Sequence, residues 1–433
     1  MNIGVERYGG FGAYLHPRVL AMLFLGFSAG LPYLLVFSTL TAWLADVGVH
    51  RGTIGMLAWV SLTYSLKFVW APLVDGFRLP VLHRLLGRRR SWMLLAQLGI
   101  ITGLVMLSTT NPLDNVTPVA LFALLASFSS ATQDIAIDAW RIEAVKVERQ
   151  AAMAAGYQYG YRTGVLLAGA GALFLADQYD WNLTYLVMAG CMVVGIAAVL
   201  SIGEPEHDES VRARRSFWEW TNSHIVQPFA DIFRRYGLYA LAILAFVALF
   251  RISDYLMGIM SIPFYLDMGY TKSEIAAVAK LYGTVATLVG ILVGGLVVGR
   301  FGLRWPLIAS AILLPLTNLA FAALALAGET DLWLLAAVIT GDNFTVGLSG
   351  TAFIAYLSSL TSPQHTATQY ALLSSLMALP GKTLSGWAGF VSLDMGWVNF
   401  YVLVCVAGVP AILLAIYVTR LKSFRSSEAI GPN

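Results

Sequence analysis

The sequence predicts an all-α polytopic membrane protein of twelve transmembrane helices in two six-helix halves. Composition, the spacing of apolar runs and the placement of basic residues between those runs lead to this prediction. Hydrophobic residues make up 58% of the 433 positions and charged residues 12%, against about 25% charged in an ordinary soluble domain. Mean hydropathy is +0.72. A soluble chain of this length cannot enclose so much apolar surface, so lipid must be part of its solvent. The net charge of +3 is small and gathers on no face, which argues against nucleic-acid binding. Cys191 and Cys405 sit in separate apolar runs and read as small hydrophobes rather than a disulfide framework. The histidines are scattered without metal-ligand spacing, so neither a metal nor another cofactor is expected.

A window of about 19 residues places the spans near 19–45, 53–75, 91–110, 117–141, 153–176, 183–202, 238–266, 273–298, 306–327, 332–359, 366–391 and 397–419. In lipid every backbone polar group must be satisfied within its own segment, and helices do that. The first run is too long for a signal-peptide core and is expected to remain as a span.

Basic residues fix the orientation. The termini and even-numbered connections carry Arg18, Arg78, Arg88, Arg89, Arg90, Arg141, Arg149, Arg212, Arg214, Arg215, Arg300, Arg304 and Arg420, among others. The opposite side carries only Arg51 and Lys272. Both termini are therefore expected to be cytoplasmic. The domains expected are 1–202, a linker at 203–236 and a second half at 237–433. Within the linker, Phe217 to Phe233 mixes aromatic and charged residues. It reads either as an amphipathic surface helix interrupted or started at Pro228, or as a solvated connection.

The halves echo each other. Asp75-Gly76-Phe77-Arg78 with Gly87-Arg88-Arg89-Arg90 joins spans two and three, and Gly299-Arg300-Phe301-Gly302-Leu303-Arg304 joins spans eight and nine. A short, basic, Gly-containing loop repeated in corresponding places points to the major facilitator fold.

Lys67, Asp75, Asp134, Asp138, Arg162, Arg251, Asp254, Lys280, Asp342 and Lys382 fall within or at the edge of spans. Each costs roughly 2.5–3.5 kcal/mol at a helix centre unless it pairs, faces water or handles substrate or protons. Antiparallel neighbours joined by a short turn hold residues at equal depth when their numbers average to the turn. Asp134 with Arg162 averages to 148, Asp342 with Lys382 to 362 and Asp254 with Lys280 to 267, each near a turn. Three buried acid–base pairs are thus expected. Asp138 stands one helical turn from Asp134, roughly 6 Å away. Two such carboxylates cannot both stay ionised cheaply, which suits a proton site, unless Asp138 is simply anchored to Arg141. Tyr33, Tyr157, Tyr161 and Tyr370 are candidates for stacking on sugar rings, or else interfacial anchors. Gly164, Gly290 and Gly294 suit close helix contacts, and Gly30-Leu31-Pro32 should distort the first span.

Span four reads Ser130-Ala131-Thr132-Gln133-Asp134-Ile135-Ala136-Ile137-Asp138-Ala139-Trp140-Arg141. This resembles the signature of AmpG-type muropeptide permeases, with a related pattern in acetyl-coenzyme A transporters. Similar stretches are Lys67 through Asp75, Glu274 through Thr284, Asp342-Asn343-Phe344 with Gly350-Thr351-Ala352-Phe353, and Ala367 through Ser374. Asp342 departs from the pattern, where the longer Glu is expected. The resemblance implies an inner-membrane importer of N-acetylglucosaminyl-1,6-anhydro-N-acetylmuramyl peptides for peptidoglycan recycling, driven by proton symport and feeding β-lactamase induction. The alternative is an acetyl-coenzyme A-like or other solute:proton carrier. Gly30, Ala131, Gln133, Asp134 and Asp138 carry over by motif as cavity or gating positions. With them we assign Tyr33, Lys67, Tyr157, Tyr161, Lys280, Gln369 and Tyr370 to substrate or cavity, and Asp134, Asp138, Arg162, Asp254, Asp342 and Lys382 to proton coupling. A membrane enzyme would concentrate His, Asp or Ser at an interface. Here the charges are dispersed, so no enzymatic activity is expected. Expected partners are the substrate, protons and lipid, with the chain a monomer.

The basic asymmetry has a direct test. A cysteine at Ser210 should be shielded from an impermeant thiol reagent in intact spheroplasts, whereas one at Asp114 or Asp180 should label. The reverse pattern would invert the topology.

Overall fold

The computed structural model describes residues 11–49, 60, 62–146, 149–205, 226–328, 330–385 and 387–421. Every regular element among them is a helix. Among the described residues nine helices are long and apolar enough to cross a membrane: Pro17–Leu44, Arg88–Leu107, Val116–Glu143, Trp181–Ser201, Tyr239–Asp267, Ala277–Phe301, Arg304–Ala327, Leu332–Leu360 and Ala388–Val418. The three other expected spans are also helical where described. Expected span two appears as Leu62–Leu66, a tight turn at Lys67–Val69 and Ala71–Gly76, with residues 53–59 outside the described residues. The fifth is Gln150–Leu166 continued through a π-helical turn into Ala172–Gln178, and the eleventh is Thr366–Ser385. These three hold Lys67, Tyr157, Tyr161, Arg162, Gln369, Tyr370 and Lys382.

Glycines let backbones touch. Pro17–Leu35 lies along Gln150–Leu166, and a Cβ added at Gly30 would meet the Tyr161 carbonyl, while one at Gly160 would meet the Leu23 carbonyl. In the other half Gly283–Phe301 lies along Leu332–Leu360, where Gly290 faces the Phe344 carbonyl and Gly347 the Thr287 carbonyl. Without hydrophobic attraction between helices in lipid, such close packing supplies much of their association. Outward faces carry Leu121, Leu124, Phe128, Leu241 and Leu393, all exposed as a lipid-facing surface requires.

The first span is broken as expected. Pro32 has no N–H, so the carbonyl of Ser28, four residues earlier, loses its helical donor. Gln133 Nε2 donates to that carbonyl at 2.9 Å. The helix ends at Leu35 and resumes at Ser38–Asp46. The linker contains the helix Gln227–Tyr236, with Pro228 in its first turn, Ile232 buried and Arg235 on Asp231 at 2.8 Å. Residues 217–225 of the expected surface helix lie outside the described residues.

Gly160→Val should force the first and fifth expected spans apart, lowering stability by about 1–3 kcal/mol. Gly190, with nothing within 4 Å of its added Cβ, should tolerate the same change. Comparable melting temperatures for both purified variants would contradict the backbone contact.

Candidate functional site

The interior charges form two groups and a lock at the basic end. In the first group, the tight turn at Lys67–Val69 interrupts the second expected span and aims the ammonium of Lys67 at Val116–Glu143. Its Nζ lies 3.9 Å from Asp134 and 3.9 Å from Asp138. The two carboxylates share a face because four residues make about one helical turn. Asp138 also accepts from Arg141 at 3.5 Å. Arg141 in turn donates to Ser358 Oγ at 2.9 Å and lies 5.0 Å from the Tyr370 ring centroid, so this group bridges both halves. Asp138 therefore has two cations, while Asp134 has one and its Oδ1 has no hydrogen-bond donor.

The expected pairing of Asp134 with Arg162 is corrected: the ion partner of Asp134 is Lys67. Equal depth does not fix the direction a side chain points around its helix, and Arg162 projects toward the second group. There the nearest charges are Arg251 and Asp254. Arg251 donates to Asp254 at 2.9 and 2.5 Å from within the same helical turn, so Asp254 is already paired without Lys280. The side chain of Lys280 lies outside the described residues. Asp342 accepts from Thr317 at 3.2 Å and its neighbouring charge is Asp254, while the neighbouring charge of Lys382 is Lys67. The expected Asp342–Lys382 pair is thus corrected as well.

An aromatic wall stands between the groups. Tyr33 lies 5.5 Å from Tyr64 and 6.3 Å from Tyr161, and Tyr161 lies 5.9 Å from Tyr157, measured between ring centroids. Tyr33, Tyr157 and Tyr161 are half-buried.

Other predicted site residues serve packing. Gly30 and Ala131 are enclosed, and the Gln133 amide is spent on Ser28. Gln369, expected at the cavity, is fully buried at the basic end. It donates to Asp231 and to the Pro228 carbonyl at 2.9 Å each and accepts from Arg235 and from the Ser362 N–H.

The lock was not foreseen from sequence. Arg89, with 0% exposure, donates to Asp75 at 2.7 Å and to Glu143 at 2.6 Å. Asp75 accepts from the N–H groups of Ala367 and Thr368 at 3.3 and 2.7 Å and from the Thr368 hydroxyl at 2.7 Å. It thereby caps the first turn of Thr366–Ser385 with a carboxylate, joining the halves where unpaired N–H groups and the helix dipole favour negative charge. Asp75 and the Arg88–Arg90 run were the available signal, but their spacing alone named no partner across the interface.

Sequence and structure comparisons agree with this architecture. The profile of the Major Facilitator Superfamily matches residues 19–381. Putative transporter AmpG 4 of Rickettsia conorii is 38% identical over 402 residues, covering 92% of this chain and 96% of that protein. The anhydromuropeptide permease of Escherichia coli K12 is 31% identical over 405 residues, covering 93% and 80% respectively. Among solved structures, the human organic anion transporter MFSD10 superposes with a TM-score of 0.69 at 16% identity, covering 92% of this chain and 99% of that one. The proton:xylose symporter XylE gives 0.65 at 14%, covering 98% and 99%.

Lys67→Gln should strand Asp134, since Asp138 keeps Arg141, and cost about 3–5 kcal/mol, as removal of one partner does in buried pairs. Adding Asp134→Asn should recover much of the folded yield. Arg162→Gln in place of Asp134→Asn should not rescue Lys67→Gln, and equal rescue would contradict the pairing.

Proposed function

The chain belongs to the Major Facilitator Superfamily, in its AmpG-type branch, and from that premise we propose that it imports anhydro-muropeptides across the inner membrane by proton symport. The relative from Escherichia coli is named an anhydromuropeptide permease, and likeness over 93% of this chain supports the same substrate class. The observation that carries the coupling is the arrangement of Asp134 and Asp138 around one ammonium. Between them Lys67 and Arg141 balance two carboxylates, so a single added proton leaves an excess positive charge in a poorly solvated place. Such an imbalance must shift the conformational equilibrium, which is what coupling requires. Asp134 is the carboxylate we assign to the proton, because Asp138 is held by two cations and Asp134 by one.

The lock supports the uptake reading. With Asp75 capping Thr366–Ser385, the halves are joined at the basic end. On the orientation given by basic residues, that end faces the cytoplasm along with both termini. Substrate then enters from the periplasmic side, and the lock must part to release it inward. The aromatic wall of Tyr33, Tyr157 and Tyr161 suits the apolar faces of sugar rings.

Uptake of labelled anhydro-disaccharide tripeptide into energised vesicles should be abolished by an uncoupler. Asp134→Asn should exchange substrate across the membrane yet fail to concentrate it. Normal uphill accumulation by a well-folded Asp134→Asn variant would overturn the assignment.

A further inference from the structure

Arg162 is the interior cation that coupling leaves unexplained. It lies twelve residues into Gln150–Leu166 and its continuation, about 18 Å from the basic end at 1.5 Å per residue. Its guanidinium makes no hydrogen bond and no ion pair among the described residues. Nor is it sealed in the core, since it is half-buried. Its charged neighbours are Arg251 and Asp254, and Asp254 is already engaged by Arg251 at 2.5 Å. Arg251 thus holds Asp254, and Asp342 has that same carboxylate as its charged neighbour, so the region carries acids and guanidiniums but Arg162 has no ion-pair partner of its own among the described residues.

Arginine stays protonated in proteins, so Arg162 cannot itself carry a proton through the cycle. A guanidinium deep in a membrane protein without a carboxylate is costly to keep. Its five donors form a planar fork that matches a carboxylate in bidentate geometry. Aromatic rings stand beside it. Tyr161 is adjacent in sequence, Tyr33 lies 6.3 Å from Tyr161, and Tyr255 of the second half has Arg251, Asp254 and Tyr33 as its neighbours. Both halves thus contribute to one region that combines ring faces with an unspent fork.

We infer that Arg162 is the anion receptor of the transport site, binding a carboxylate on a sugar-linked substrate whose ring packs against Tyr33 and Tyr161. The inference deepens the muropeptide reading and rests on it for the identity of the substrate, while the carboxylate requirement stands on the geometry of Arg162. It replaces the proton-coupling role expected for this residue from sequence. Arg251 orients the region from the second half, with Asp254 balancing its charge. An anion at Arg162 gives that guanidinium its own acceptor and ties a first-half residue to the second half through the ligand, which favours closure around it.

The test compares acids with their amides by ligand-induced thermal stabilisation of the purified full-length protein in nanodiscs. One pair of probes is the anhydro-disaccharide tripeptide and its fully amidated counterpart. The other is N-acetylmuramic acid and its primary amide. The wild-type protein should prefer each acid by about 10-fold to 100-fold, the range for one charge-assisted hydrogen-bonded contact. Arg162→Gln should remove that preference by weakening the acids alone, and Arg162→Lys should restore part of it, because charge survives without the fork. Preference for N-acetylmuramic acid with no binding of either tripeptide probe would uphold the anion receptor and overturn the muropeptide reading. Equal binding of acid and amide would overturn the inference and leave that reading intact. Absence of binding by all four probes, or an equal loss of acid and amide in Arg162→Gln, would also overturn the inference.

Discussion

An ionised group inside this bundle is costly unless an acceptor, a donor or an opposite charge stands within a few ångströms, because lipid and packed protein screen charge poorly. The pairing of Arg89 with Asp75 and Glu143 shows how far that constraint reaches. A fully buried guanidinium needs acceptors for its donors, so three helices from the first half converge on it. Asp75, once held by Arg89, still has lone pairs to fill. The N–H groups at the start of Thr366–Ser385 fill them, and the second half is thereby fastened to the first. Contact between the halves at the basic end is a consequence of completing the hydrogen bonds of one buried arginine.

The same accounting governs backbone polarity. Pro32 deprives Ser28 of its helical donor, and the carbonyl would be orphaned in an apolar setting. Gln133 supplies the missing N–H from another helix. A residue that reads as a polar lining of the transport path is therefore consumed by helix geometry. Close glycine contacts bring Pro17–Leu35 near enough to Gln150–Leu166 for the Tyr33 and Tyr161 rings to share one wall. Backbone proximity, chosen by residues with no side chain, sets the spacing of the aromatic surface proposed to meet substrate.

Composition and periodicity made the helical membrane class and most span positions legible, because apolar length is a local property. The shared face of Asp134 and Asp138 was equally legible, since it depends only on helical pitch. Partners across helices were not. Matching depth along a hairpin leaves rotation about each helix axis undetermined, so Arg162 and Asp134 share a level without facing each other. Asp254 was taken by Arg251 three residues earlier, a contact within one turn that hairpin arithmetic overlooks. Gln369 lay in a recognisable motif, yet its role depends on Asp231 and Arg235, more than a hundred residues away in a linker whose docking the sequence did not reveal.

Lys67 and Asp75 belong to the same short, interrupted segment, and this gives the proposed cycle a mechanical path. Lys67 sits in the tight turn and Asp75 in the helix Ala71–Gly76 that follows it, with Pro72 at the junction. A continuous helix would let Lys67 change partners by side-chain rotation alone. An interrupted one has fewer backbone hydrogen bonds holding the turn, so a change at Lys67 can tilt the following helix as a unit. On the coupling proposed above, neutralising Asp134 removes one of the two attractions on Lys67 and leaves Asp138, one turn nearer the basic end, as its remaining acceptor. The ammonium is then drawn toward the end at which Asp75 holds Thr368. The geometry of that carboxylate is set by contacts at 2.7 Å, which tolerate little displacement. In that proposed cycle, proton binding at mid-depth and release of the halves at the basic end are linked by a segment of nine residues, Lys67 to Asp75, without any signal having to cross the packed cores of the two halves.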